Sequence, residues 1–357
     1  MKQLLAVLFL LGRIFSPVYS LVMALRAVLY RKNILLKSQR LSVPVISIGN
    51  LTLGGTGKTP MVRYVTRLLL DRGLHPAIVS RGYGGKATDA VNIVSDGAQT
   101  LLPPDMAGDE PFMLAEALPG VPVLTGPERA LVAGHAIKEF GVNHIVLDDG
   151  FQHLAVSRDL DLVLFSARTL LGNGRVFPGG PMREPLSALG RAHAFVITGV
   201  DGGNRAKVED FQRRLQGAFP EKPVFLGEYL PLGIWHSRQG ATCTLAEARR
   251  MPVFAFAGIA NPDSFRQTLR QDGFSLVGFK EFKDHHIYTA QDVAALVSAA
   301  QAHGAQALIA TEKDFVKLRP FFGGFPILAL TIELRMDPGF DQFMAERLDK
   351  QPLEARS

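Results

Sequence analysis

The chain has 357 residues, of which 47% are hydrophobic and 20% charged, enough apolar content to bury one large core or two moderate ones. Its single cysteine, Cys243, excludes an intrachain disulfide, and no Cys/His cluster has the paired spacing of a structural zinc site. The net charge of +6 is concentrated in residues 1–40, where Lys2, Arg13, Arg26, Arg31, Lys32, Lys37 and Arg40 stand without a single acid. Basic residues that punctuate an apolar stretch argue against nucleic acid and for a membrane surface with anionic lipids.

That stretch, Leu4 to Tyr30, comes first in chain order. Arg13 and Arg26 cut it into uncharged runs of about a dozen residues, short of the roughly 18 to 20 that a spanning helix needs. Pro17 is expected to interrupt a continuous helix, and no A-x-A-like cleavage site follows the apolar run Leu4 to Leu11. The reading is an N-terminal apolar helical segment over residues 1–40 that lies on the membrane rather than spanning it, with Leu, Phe and Val among acyl chains and Arg and Lys at head groups. A helix pair packed on the protein's own core is the alternative.

From residue 43 short apolar strands alternate with helical segments, the pattern of a parallel sheet covered on both faces. Strands are predicted at Val43–Ile48, Ala77–Ser80, Val121–Leu124, His144–Leu147, Leu160–Phe165 and Ala194–Thr198, and helices at Lys58–Arg72, Pro111–Ala117 and Arg129–Phe140. This gives a doubly wound, mainly parallel α/β domain of P-loop NTPase type over residues 41–223. A second alternation runs through Val253–Ala257, Asp263–Gln271, Ser275–Phe279, Ala290–Ala302, Ala307–Ala310 and Ile327–Leu330. It predicts a smaller α/β lobe over 224–336, with Val224–Trp235 and Ile327–Met336 as a two-stranded hinge and a C-terminal helix and tail over 337–357.

The strongest chemical signal is Thr52-Leu53-Gly54-Gly55-Thr56-Gly57-Lys58-Thr59, placed between a predicted strand and a predicted helix. Glycines let backbone N–H groups close around phosphate oxygens, Lys58 would reach the terminal phosphates, and Thr59 would place its hydroxyl on Mg²⁺. Thr52 stands where the usual pattern has its first glycine. A phosphate loop of this kind works with an acidic residue at a neighbouring strand end, and His144-Ile-Val-Leu-Asp-Asp-Gly150 offers Asp148 and Asp149. In an extended chain these two point to opposite sides, so that one of them would meet the metal.

These residues carry a resemblance. Asn50 with Thr52 to Pro60, Ser80-Arg-Gly-Tyr-Gly-Gly85, Gly108-Asp-Glu-Pro111, Asp148-Asp-Gly-Phe-Gln-His153, Phe177-Pro-Gly-Gly-Pro-Met-Arg-Glu-Pro185, Asp284-His285 and Thr311-Glu-Lys-Asp314 stand in the order seen in the tetraacyldisaccharide 4'-kinases of lipid A biosynthesis, which the chain resembles over nearly its whole length. The resemblance implies ATP and Mg²⁺ as co-substrate and cofactor. It implies transfer of the γ-phosphate to the 4'-hydroxyl of a tetraacylated glucosamine disaccharide 1-phosphate at the cytoplasmic face of the inner membrane. Nothing in the sequence requires a protein partner.

The resemblance also suggests roles. Asp109 would accept the proton of the sugar hydroxyl and His285 would orient it or share its proton, which with Lys58 and Asp149 makes the catalytic set. Taken without the family, Asp109 reads as a helix N-cap and His285 as a surface residue. Arg81, Tyr83, Arg129 and Arg183 suit phosphate or sugar contacts, and Glu184 would pair with Arg183 or assist the metal. A P-loop GTPase or metallochaperone is the rival, but Thr311-Glu-Lys-Asp314 lacks the asparagine of the guanine-reading N-K-x-D box and sets its lysine one position late.

Overall fold

A computed structural model describes residues 8–238 and 243–350. Lys2, Leu4 and the C-terminal tail of the reading above lie outside the described residues. Among the described residues twelve strands form one sheet: β1 (Val45–Asn50), β2 (Pro76–Ser80), β3 (Asn92–Asp96), β4 (Pro122–Thr125), β5 (His144–Asp148), β6 (Leu160–Ser166), β7 (Ala194–Thr198), β8 (Val224–His236), β9 (Pro252–Ala257), β10 (Ser275–Glu281), β11 (Ala307–Thr311) and β12 (Ile327–Met336). Their order is β10-β9-β11-β12-β8-β7-β6-β1-β5-β2-β4-β3, and all neighbours are parallel except β3 with β4 and β8 with β12. The fold is therefore mixed α/β around a large, mostly parallel sheet.

The central strands β1, β2 and β5 are buried at every position, as expected for apolar runs covered by helices on both faces. The helix Lys58–Asp71 buries Met61, Val62, Val65 and Leu69, spaced at three and four residues, as one apolar stripe. β3 was not expected, because Asn92–Asp96 is short and polar at both ends; it adds antiparallel to β4 at the sheet edge. The helices Arg205–Ala218 and Leu245–Arg250 were also not anticipated.

Both runs of alternating strands and helices share this one sheet through β8. Its first residues pair in parallel with β7, from Phe195 opposite Val224 to Thr198 opposite Gly227. The strand continues antiparallel to β12, from Gly227 opposite Met336 to His236 opposite Leu328. A buried ion pair ties the same two regions from the helix side. Arg63 Nη1 lies 3.1 and 3.2 Å from the two carboxylate oxygens of Glu312, and burial pushes the Glu312 carboxyl up against the opposing pull of Arg63.

Near the N-terminus a helix runs from Ser16 to Arg31, and Pro17 sits in its first turn. Proline is at home there because the first helical N–H groups have no intrahelical partner, and a turn at residues 13–15 parts this helix from the helical residues 8–12, so the apolar stretch is interrupted at Pro17 as expected. One face holds the body: Ser16 Oγ donates to the Val176 carbonyl at 2.6 Å, Tyr19 meets Phe177 edge-on, and Arg26 donates to the Gln152 carbonyl at 3.2 Å. Val18, Leu21, Val22 and Leu25 form the outward face, each more than half exposed, and Leu11 and Ile14 ahead of the helix are equally open. Among the described residues no helix is long and apolar enough to cross a membrane.

Removing one partner of a buried ion pair leaves an uncompensated charge. Arg63→Met should therefore cost about 3–5 kcal/mol of unfolding free energy in urea titrations, whereas Arg63→Met with Glu312→Met should recover most of it. Equal losses in the single and double variants would show that the charge pairing is not what matters.

Candidate functional site

The glycine loop leaves β1 at Asn50 and enters the helix Lys58–Asp71 through Gly57, whose φ of 76° is left-handed. A Cβ at Gly57 would fall on the Tyr229 hydroxyl of β8 and come within 3.0 Å of Thr198 Oγ1, so both conformation and space require glycine there. Thr52 is 2% exposed and bridges Met182 antiparallel, while Leu53 N–H donates to the Pro181 carbonyl at 2.7 Å. The loop opening is thus braced by the 177–185 segment where the usual pattern has a glycine. Asn50 Nδ2 donates to the Thr52 carbonyl at 2.8 Å, and Thr198 Oγ1 to the Thr56 carbonyl at 2.9 Å.

β5 lies beside β1, with Asp148 opposite Ile48. Asp148 is 4% exposed and its Oδ1 has no hydrogen-bond partner. Burial, helped by the charge of Glu110, lifts its carboxyl to about 7 in spite of Lys58. Asp149 adopts a φ of 54°, so the extended geometry expected for the two acids ends at Asp148. Its carboxylate lies 3.5 Å from Lys58 Nζ and 2.9 Å from Arg183 Nη1. Burial pushes Asp149 up, but Lys58, Arg183 and Arg129 outweigh it and hold the group below the usual carboxylate range.

Arg183 therefore serves Asp149, and also donates to Gln152 Oε1 at 3.2 Å. Glu184 does not pair with its chain neighbour: it is 1% exposed and lies 2.9 Å from Arg191 Nη2, whose guanidinium stacks over Phe151. Arg129 is buried, and its Nη1 lies 2.9 Å from His153 Nδ1.

Asp109 stands in the first turn of the helix Asp109–Ala117, and the N-cap is Gly108 with no side-chain cap; the N-cap reading of Asp109 does not hold. Its Oδ2 lies 3.4 Å from His285 Nδ1 and 3.5 Å from Lys317 Nζ. His285 arrives from the loop after β10 with a left-handed φ of 58° and donates its backbone N–H to the Gly258 carbonyl at 3.1 Å. Tyr83 meets the His285 ring edge-on with centroids 5.6 Å apart, and Arg81 is exposed on the same loop. The structure thus forms two clusters, one of Lys58, Asp148, Asp149, Arg129 and Arg183 and one of Asp109, His285 and Tyr83. Glu110 links them, since its charge bears on Asp148 while its carboxylate lies 3.3 Å from Lys313 Nζ.

Residues 8–349 match the family model described as LpxK, tetraacyldisaccharide-1-P 4'-kinase. The chain belongs to the tetraacyldisaccharide 4'-kinase family. It is 46% identical over 338 residues to a tetraacyldisaccharide 4'-kinase of Desulfotalea psychrophila, covering 95% of this chain and 96% of that one. A second such kinase, from Syntrophus aciditrophicus, is 40% identical over 349 residues, covering 95% and 93%. The crystal structure of LpxK from Aquifex aeolicus in complex with ATP matches with a TM-score of 0.75 at 30% identity, covering 93% of this chain and 97% of that one.

Several residues of this kinase's site escaped the sequence reading. Lys313 and Lys317 stood inside or beside a quoted motif, yet only the fold shows them at His285 and Asp109. Gln152 and His153 were likewise quoted without a role. Burial first, then Arg129 and Arg158, lowers the His153 imidazole from 6.5 to about 4. Between those values the unfolded chain binds a proton that the folded site refuses, so stability falls as pH drops from about 6.5 toward 4. Urea midpoints should therefore decline less between about pH 7 and pH 4.5 in His153→Gln than in the parent protein; an identical decline would place the acid sensitivity elsewhere.

Proposed function

We propose that the chain transfers the γ-phosphate of ATP to the 4'-hydroxyl of a tetraacylated glucosamine disaccharide 1-phosphate, with the loop Thr52–Thr59 as a P-loop. The observation that carries this reading is the approach of Asp109 to His285 in a chain of this family that also carries the glycine loop and a buried Asp148 whose Oδ1 has no hydrogen bond. Asp109 accepts the hydroxyl proton as the new phosphorus–oxygen bond forms and the bond between the β- and γ-phosphates breaks, releasing ADP. Lys58 and the backbone of the glycine loop bear the phosphate charge.

Mg²⁺ fits the residues present. Asp148 is a carboxylate whose burial is uncompensated by any hydrogen bond at Oδ1, and Thr59 opens the helix beside it. Magnesium is commonly held by one or two carboxylates together with phosphate oxygens, and when bound it would neutralise charge on the transferring group. Asp149, already engaged by Lys58 and Arg183, orients those two cations. Arg81, Tyr83, Arg129 and Arg183 line the approach for the acceptor phosphate and sugar, and Glu184 acts through Arg191. The GTPase alternative finds no support in Lys313, which points its ammonium to Glu110 and His285.

The test is transfer of label from [γ-³²P]ATP into the lipid acceptor. Asp109→Asn should lower kcat by about 10²- to 10⁴-fold while KM for both substrates stays within about threefold, as for a group acting in the transition state. Label that never enters lipid with the parent protein, or an Asp109→Asn variant with undiminished kcat, would reject the reading.

The same proposal sets the chain on the cytoplasmic face of the inner membrane through the outward face of the helix Ser16–Arg31. Val18, Leu21 and Leu25 are 63%, 70% and 57% exposed, and burying a side chain of this size gains roughly 1.5–3 kcal/mol. Replacing all three by Glu should leave the melting temperature nearly unchanged and abolish co-sedimentation with anionic phospholipid vesicles. Retained sedimentation at high salt would rule out this face as the anchor.

A further inference from the structure

We propose that Lys313 is a positioning residue that fixes the tautomer of His285, an inference that rests on the reading of Asp109 as the proton acceptor. Lys313 Nζ lies 3.2 Å from His285 Nε2. An ammonium group has three donors and no acceptor, so this contact requires a lone pair on Nε2. In the neutral ring the hydrogen then resides on Nδ1, the nitrogen 3.4 Å from Asp109 Oδ2. The bond made at one ring nitrogen decides which proton the other carries. His285 therefore faces Asp109 as a donor and orients the carboxylate without taking its proton away.

The surroundings hold this arrangement from several sides. Lys313 is itself fixed by Glu110 at 3.3 Å and Asp284 at 3.9 Å, with its side chain 17% exposed. The left-handed backbone of His285 is sparsely populated for a residue with a Cβ, and such conformations persist where the surroundings over-determine them. One turn further along the same helix, Lys317 places its ammonium 3.5 Å from Asp109 Oδ2 and 3.4 Å from Asp314 Oδ1. The short helix Glu312–Lys317 thus presents one cation to the imidazole and one to the carboxylate it serves.

The tautomer is read directly from two-bond ¹H–¹⁵N spectra of the full-length protein labelled with [¹⁵N]histidine, with the His285 signals assigned by their loss in His285→Gln. The parent protein should show His285 protonated at Nδ1 with a free lone pair at Nε2. Lys313→Met should shift it toward the Nε2–H form and lower kcat by about 10- to 100-fold with KM for ATP and lipid changed less than about threefold. Lys313→Arg, which keeps a donor-only cation, should retain the Nδ1–H form and most of kcat. An Nε2–H ring in the parent protein overturns the proposal without need of any variant. An unchanged tautomer in Lys313→Met, or a changed tautomer with undiminished kcat, overturns it too. Full activity in Asp109→Asn alongside a Lys313-dependent Nδ1–H ring would instead remove the base reading and leave the tautomer assignment standing.

Discussion

Nine cross-strand pairs between β8 and β12 decide where every residue of the second strand and helix run lies. Because β8 is also hydrogen-bonded to β7, the parallel strands on either side belong to one hydrogen-bonded frame. The loops after β10 and β11 are thereby brought to the end of the sheet that carries the glycine loop. Open α/β sheets gather ligands at the carboxyl ends of their strands, and here that edge receives residues separated by well over a hundred positions. Without the antiparallel pair, Asp109 and His285 would have no reason to meet.

The electrostatics of the site divide two neighbouring carboxylates into different roles. Asp148 lies at the end of a buried strand with no hydrogen bond at Oδ1, and burial raises its affinity for a proton in spite of Lys58 and Arg129. Asp149, one residue on, turns out of the strand and finds Lys58 and Arg183. A single left-handed residue thus separates a buried carboxylate with an unbonded Oδ1 from one committed to holding two side chains in place. Glu110 adds negative charge near Asp148 while it braces Lys313, so the cluster around Asp148 and the cluster around His285 share one charge network.

Much of this was legible in the sequence because it is local. Apolar runs gave the parallel strands, and a glycine loop between a strand and a helix is recognisable from spacing alone. The partners of charged side chains were not legible. Glu184 finds Arg191, seven residues away at the end of the 3-10 helix Leu186–Arg191, while the adjacent Arg183 is taken by Asp149. Lys313, known only as part of Thr311-Glu-Lys-Asp314, and Lys317 carried no role until the fold placed acidic and imidazole groups in front of them. The Thr52 opening looked like a defect in the loop; the 177–185 segment that braces it lies more than a hundred residues downstream.

The closeness of Gly57 to Tyr229 joins the glycine loop to the strand that carries the second half of the sheet. No side chain fits at position 57 while the tyrosine ring is in place. A smaller residue at 229 would open that space yet leave the left-handed backbone cost at 57 untouched. Change at these two positions is therefore ordered in time: a lineage can lose the ring and keep the glycine, but it cannot begin by losing the glycine. Position 57 is thus held twice over, by its own left-handed backbone and by a residue 172 places away.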